Sequence, residues 1–386
     1  MPCCMEDNRA PDPLTERQAF IVLNALPHIG STARNRLLNE MSGDPRAVFA
    51  AGASRLAAIE GVSPAFGRAV AAWRKYFDLG REEIRMTQSR VDFITLRDEA
   101  YPKPLREIQD PPVGLYRRGP HAFETPAIAI VGSRRATLYG KNVANKLGVE
   151  LARLGFCVAS GLARGIDTAA HEGALAAGGR TVAVLGTGID IVYPSENFDL
   201  FRRIAESGAV LSEFPFGRPA ALHSFPMRNR IVSGLSAAVV VVESAADGGA
   251  MITARFAGDQ GRTLLAVPGR IDQPTSAGCH QLIRDGAILV TGVDDIVDEL
   301  SYLTGLRPSQ PAAAPARASK SQTRLTDDEA RIFACFDGGE IPTPEILAAR
   351  AGLTAAEIAA ALTMLELKQR IAKRLDGSYE ALESPN

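Results

Sequence analysis

Residues 127–167 read AIAIVGSRRATLYGKNVANKLGVELARLGFCVASGLARGID, and the reading of this stretch decides what the rest of the chain is expected to be. Ala127 to Val131 is a short apolar run, rich enough in Ile and Val for a strand buried on both faces, and it stops at Gly132-Ser133-Arg134-Arg135. From Tyr139 to Leu154 the residues Val143, Leu147, Leu151 and Leu154 recur at steps of three and four. They predict a helix with one inward stripe, leaving Lys141, Lys146, Glu150 and Arg153 hydrated. Gly155 ends that helix, and Phe156 to Ala159 reads as the next strand. Strand, turn, helix and strand make the first βαβ unit of a doubly wound sheet, a fold whose ligands sit at the carboxyl ends of the strands.

The turn after the first strand has the chemistry of an anion site. Gly132 lets a ligand approach the backbone, free N–H groups open the following helix, and Arg134 and Arg135 add full positive charge. The dinucleotide fingerprint is absent: no G-x-x-G follows Gly132, and the second strand runs into Ser160-Gly161 where a ribose-binding carboxylate belongs. No G-x-x-x-x-G-K-[ST] occurs either, so both NAD and a P-loop nucleotide are disfavoured and no cofactor is expected.

Working outward, 386 residues with 46% hydrophobic content suffice for two or three domains. The balance of 43 basic and 44 acidic side chains means that a nucleic-acid partner must be held by a local cluster. Cys3, Cys4, Cys157, Cys279 and Cys335 form no C-x-x-C pair, which points away from zinc and toward a reducing cytoplasm. The acidic N-terminal residues do not resemble a leader, and the longest aliphatic run, Ala237 to Val242, is far too short to span a membrane.

Residues 15–80 read as short helices around two similar turns, Ala25-Leu-Pro-His-Ile-Gly30 and Ala58-Ile-Glu-Gly-Val-Ser63, in the manner of helix-hairpin-helix or SAM-like modules. Such turns present N–H groups to DNA phosphates, but a module for packing or partner contact fits equally well, since charge here is balanced and the second turn carries Glu60. Val91 to Gly119 is a connecting segment, with an edge strand at Asp92 to Leu96 and prolines at 102, 104, 111 and 112. Beyond the first βαβ unit, Asp167 or Thr168 is expected to cap a helix running to Ala177. Further strands are expected at Thr181 to Leu185, Ala209 to Leu211, Ala237 to Val242, Thr263 to Val267 and Ala287 to Val290, within a domain spanning 91–303. Residues 305–323 have the Pro, Ala and Ser content of a linker. Within 324–383, three helices (Asp327 to Phe336, Thr343 to Ala349, Thr354 to Leu367) precede a hairpin from Ile371 to Leu382 turning at Asp376-Gly377, a winged-helix-like module.

Several ordered motifs resemble the DprA (Smf) family: Ile130-Val-Gly-Ser-Arg134, Ser160-Gly-Leu-Ala-Arg-Gly-Ile-Asp167 with Ala170-His171, Phe225-Pro-Met-Arg-Asn-Arg-Ile231 with Ser233-Gly-Leu-Ser236, and Ile252-Thr-Ala254 with Ala266-Val-Pro-Gly269. The resemblance covers about Val91 to Leu300. It implies an extended Rossmann fold, single-stranded DNA binding, a homodimer, and handover of incoming DNA to a RecA-type recombinase during transformation. One departure is Asp247-Gly-Gly-Ala-Met-Ile-Thr-Ala254, where the family commonly has Ser-Gly-Ser before a similar ending; the glycines remain and a hydroxyl at Ala250 is lost. The rival reading is a nucleotide-binding or nucleoside-monophosphate-cleaving Rossmann enzyme, whose P-G-G-x-G-T motif and nearby Glu are incomplete at Gly248 to Thr253.

The candidate DNA-binding residues are Gly132, Ser133, Arg134, Gly161, Arg164, Gly165, Phe225, Arg228, Asn229, Arg230, Gly248 and Gly249. Phe225 to Arg230 puts an aromatic, two guanidinium groups and an amide within six residues, the ingredients for stacking an unpaired base and following its backbone. The competing reading buries Phe225 and pairs one arginine with Glu243 or Asp247. Arg164 has a structural alternative in Asp167 or Glu172. Asp167 and His171 are four apart, but a cap and a packed histidine explain them, so no catalytic or metal site is expected. The C-terminal module holds seven basic against eleven acidic side chains over 324–386, so it reads as a protein-contact surface.

Overall fold

The computed structural model describes residues 13–121, 123–304, 325–336, 340–368, 370–374 and 377–382. The chain forms two compact units, Met1–Ala313 and Ala314–Asn386.

The first unit opens with α1 (Glu16–Ala25), α2 (Ser31–Glu40), α3 (Pro45–Ala50), α4 (Ala53–Ala57), α5 (Pro64–Ala71) and α6 (Leu79–Ser89). Short polar side chains start these helices: Thr15 forms a capping box with Gln18, and Ser63 and Asp78 cap α5 and α6. Both expected hairpin turns lie between helices, α1–α2 and α4–α5, and they touch each other through the Ser63 hydroxyl, which donates to His28 O. Phe20, Leu37, Leu56 and Phe66 bury themselves in a cluster that continues into Leu185, Leu200 and Phe201 of the following sheet region, so the helices and the sheet share one core.

Then come β1 (Asp92–Thr95), α7 (Lys103–Arg106), β2 (Gly114–Arg118), β3 (Ala127–Val131), α8 (Leu138–Arg153), β4 (Cys157–Ser160), α9 (Ile166–Ala176), β5 (Thr181–Leu185), α10 (Phe198–Ser207) and β6 (Ala209–Ser212). They are followed by α11 (Ser224–Gly234), β7 (Ser236–Val241), α12 (Gly249–Asp259), β8 (Thr263–Ala266), α13 (Ala277–Arg284), β9 (Ile288–Leu289) and α14 (Val293–Thr304). The nine strands form one sheet in the order β1-β2-β6-β5-β4-β3-β7-β8-β9, parallel except where β2 pairs with β1 and β6. From β3 the chain steps outward to β6, then returns to place β7 on the other side of β3, so the winding reverses between those two strands. This is an extended Rossmann sheet with a ligand crevice expected at the β3/β7 reversal. Among the described residues, no single helix is long and apolar enough to cross a membrane.

Three expectations need correction. Gly114 to Arg118 is a strand inside the supposed connecting segment; its glycine is demanded because a Cβ there would lie 2.2 Å from the Phe93 ring. On α8, Val143 and Leu154 are only partly buried, and the close face is made by Ala144, Leu147, Gly148 and Leu151. Small residues are needed there because α9 approaches so closely that a Cβ on Gly148 would sit 2.5 Å from Ala170 O. Finally, α9 is preceded by Gly165 at φ +79°, not capped by Asp167 or Thr168.

The second unit contains α15 (Asp327–Ala334), α16 (Pro344–Ala351), α17 (Ala355–Leu367), β10 (Ile371–Lys373) and β11 (Tyr379–Ala381), the two strands pairing antiparallel. Capping boxes at Thr326/Glu329 and Thr354/Glu357 start two of its helices. Phe333, Phe336, Leu347, Leu362, Leu365, Ile371 and Tyr379 give it a core of its own, three helices with a wing. The proposed linker 305–323 and Asp376 of the wing turn lie outside the described residues.

Candidate nucleic-acid interface

A crevice of about 460 Å³ opens at the carboxyl ends of the central strands, beside the β3/β7 reversal. Gly132, Ser133, Arg134, Gly161, Phe225, Arg228, Asn229, Gly248 and Gly249 all line it, from four separate stretches of chain. Gly165 and Arg230 do not belong to that lining. Arg164 borders a small adjoining recess with Tyr193 and Pro194, where its guanidinium pairs with Glu196 instead of Asp167 or Glu172.

The mouth is made by residues 91 positions apart in sequence. Arg134, exposed just beyond β3, holds its guanidinium carbon 4.9 Å from the centre of the Phe225 ring, near the start of α11. Tyr193 extends the aromatic surface, its ring 5.4 Å from Phe225 and tilted by 41°. Tyr193 escaped the sequence reading because nothing local joins it to Phe225; the only signal was an aromatic shortly after the glycine-rich turn at 186–190.

The turn after β3 is not the open amide cradle that its sequence suggests. Ser133 N–H donates to Glu243 O at 2.7 Å, Arg135 N–H to Ser133 Oγ at 3.1 Å, and Thr137 N–H to Glu243 Oε2 at 2.9 Å. Glu243, considered as an arginine partner, thus ties the β7 end to the β3 turn. Gly132 is required by this close approach, since a Cβ would lie 2.5 Å from Ile166 Cγ1. The amides that do face the crevice are those opening α12, where Gly248 is the N-cap and provides no side chain to satisfy them. Their partial positive charge supplements Arg134 and Arg135.

Phe225 to Arg230 is helical, so its two arginines diverge. Arg228 turns under the crevice and donates to Gly161 O and Val184 O. Gly161 has no alternative there, because a Cβ would meet that guanidinium at 2.1 Å. Burial, against the opposing pull of Asp167 and with help from Arg134, brings Arg228 down to about 10, so it stays charged at neutral pH. Arg230 points away: it is 2% exposed, donates to both carboxylate oxygens of Glu213 at 2.7 and 2.8 Å, and reaches Asp110 Oδ2 at 3.1 Å. It is a buried structural cation, which its neighbour in sequence gave no way to foresee.

Asp167 accepts from Gly161 N–H and Ala163 N–H and so fixes the loop above Arg228; burial raises its carboxyl pKa. His171 is fully buried with Nδ1 2.6 Å from Thr181 Oγ1. The Thr181 hydroxyl gives its own proton to Val158 O, so Nδ1 carries the imidazole hydrogen. Burial, with Arg228 nearby, pushes His171 down to about 3. Both side chains are engaged in holding the fold.

Fold and site together define an extended Rossmann protein with a cationic, aromatic-rimmed crevice at its switch point. The chain belongs to the DNA recombination-mediator protein A family: that family matches residues 92–301, and the DprA winged helix domain matches residues 310–377. It is 37% identical to Protein Smf of Escherichia coli over 299 residues, 77% of this chain and 79% of that one. It is 38% identical to the DNA processing protein DprA of Streptococcus pneumoniae over 229 residues, 59% of this chain and 81% of that one. The crystal structure of the S. pneumoniae protein superposes with a TM-score of 0.64 at 32% identity, covering 75% of this chain and 99% of that one. A structure of DNA processing protein A from Helicobacter pylori, described for its single-stranded DNA binding mode, gives 0.50 at 32% identity over 55% of this chain and 98% of that one.

Proposed function

We propose that this protein binds single-stranded DNA in the crevice beside β3 and β7, without cleaving it, and hands it to a RecA-type recombinase. The observation that carries the reading is the convergence of Arg134 and Phe225 at one mouth. A cation that meets phosphate beside a ring that meets a base is what an unpaired strand needs, whereas stacked duplex bases cannot reach the ring. Arg134, Arg135 and the charged floor at Arg228 supply the positive field, Asn229 an amide, and Gly248 and Gly249 a helix N-terminus. Family membership supports the recombinase partner, a homodimer and a cytoplasmic setting, and the single-stranded DNA described for the H. pylori relative supports the ligand.

Fluorescence anisotropy with labelled oligonucleotides tests this. Single strands should bind better than blunt duplex with little sequence preference, and with about three phosphates neutralised the log-log salt slope should lie near −2 per protomer. Equal affinity for the two forms across salt concentrations would sink the assignment, and turnover of nucleotides by the purified protein would favour the enzyme reading instead.

A further inference from the structure

The amino ends of the same central strands border a second, larger cavity, of about 800 Å³. Its floor is apolar, with Ala127, Cys157, Val182 and Ala237 at or near the starts of four parallel strands. Tyr101 and Phe123 supply aromatic surface, and Pro102 and Pro126 supply flat aliphatic faces. Against this lining stand two polar atoms that are buried without a partner, His121 Nδ1 and Thr125 Oγ1. His121 is only 4% exposed. Unpaired buried polar atoms are uncommon and costly, which makes two of them beside one cavity a sign of an absent occupant. The volume and the mostly apolar wall with few polar groups are those of a small-molecule pocket.

Charge narrows the chemistry. Burial, with Arg180 and then Arg117 nearby, holds His121 down at about 4, so the imidazole is neutral in cellular conditions. A cationic ligand would approach those same guanidinium groups, and an anionic one would pass the exposed Glu99 and Glu124 of the lining. The Cys157 thiol on the wall is pushed up to about 12 by burial, so no thiolate is available for covalent chemistry. We propose that this cavity is a second ligand site, remote from the DNA crevice, that takes a neutral planar heterocycle with a hydrogen-bond donor and an acceptor on its edge. The ring lies among Tyr101, Phe123 and the proline faces, and its edge pairs with His121 Nδ1 and the Thr125 hydroxyl.

Benzimidazole is a suitable probe, neutral near pH 7.5 with one N–H and one bare ring nitrogen. Titrated into the full-length protein and followed by ligand-observed NMR, it should saturate with a Kd of about 0.1–5 mM, as expected for so small a ligand. Thr125→Val, which keeps the side-chain shape, and His121→Phe should each weaken binding about ten-fold, a loss appropriate to one buried hydrogen bond. Phe225→Ala should leave it unchanged. The variants are compared at matched melting temperature, and Thr125→Val guards against a His121 variant that fails to fold. Absence of saturation by about 10 mM overturns the proposal. Binding indifferent to Thr125→Val, or lost in Phe225→Ala, overturns it equally, since the probe would then sit elsewhere.

Discussion

Arg134 and Phe225 perform different physical tasks, and their variants should differ in kind. Arg134→Ala removes one cation from the phosphate path, so affinity should fall and the salt slope should flatten by about 0.7. Phe225→Ala removes a stacking face; it should cost about 1–3 kcal/mol of affinity while leaving the slope nearly unchanged. Anisotropy titrations at several salt concentrations separate the two, and a folded Arg134→Ala protein with parental affinity and slope would refute the crevice assignment. His171 yields a prediction for stability. Its pKa is about 3 in the fold against 6.5 for the model value, so below pH 6.5 the unfolded chain binds a proton that the native one refuses. Its contribution is therefore present above pH 6.5 and lost as pH falls toward 3, amounting to about 2 kcal/mol between pH 7 and pH 5. Asp167, with its pKa raised by burial, acts in the opposite sense, so urea unfolding of the parent and His171→Gln should be compared at both pH values. Identical pH dependence in the two proteins would remove His171 as the cause.

At the scale of elements, α11 carries the two halves of the argument on opposite faces. Phe225 and Arg228 face the crevice, while Arg230 is locked to Glu213 and Asp110, and Glu213 also lies 3.9 Å from Arg34 of α2. The Asn24 side chain donates to Glu213 O, so the N-terminal helices hold the segment that holds α11. Arg230→Met should therefore destabilise the protein by about 3–5 kcal/mol by leaving buried carboxylate charge undercompensated. In protein that remains folded, the salt slope for DNA should not change. Denaturant unfolding and salt titration together check this, and a flattened slope without loss of stability would return Arg230 to the DNA contacts. The same helix shows what sequence can convey. The strands β3, β5 and β7 were legible because dense Ile, Val and Ala runs bounded by glycine have few other structural uses. The orientation of Arg228 and Arg230 was not, since it depends on whether their backbone is helical and on a carboxylate at Glu213 supplied by another segment. Likewise, Gly132 and Gly161 could be marked as close to the site, but their reasons, Ile166 and the Arg228 guanidinium, exist only after folding.

For the whole molecule, the question is whether the C-terminal unit contributes to DNA affinity. Its third helix, α17, carries Glu357 and Glu366 and no Lys or Arg, so it lacks the cations with which a recognition helix meets a phosphate backbone. The wing region offered the exception in Lys368, Arg370, Lys373 and Arg374. In the structure Lys368 pairs with Glu329 and Arg374 with Glu380, while Arg370 and Lys373 lie 5.7 and 5.9 Å from the centres of the Phe333 and Tyr379 rings. Four cations engaged within the unit, on a segment with an excess of acidic residues, give a weak field for DNA. Because this unit has its own core and the first unit retains the complete crevice, a protein ending before residue 305 should stay folded. It should keep its single-strand affinity within about ten-fold, or roughly 1.4 kcal/mol. Anisotropy on the shortened protein, alongside its melting curve, measures this. A larger loss in a protein that still melts cooperatively would mean that the winged-helix surface contacts DNA despite its charge.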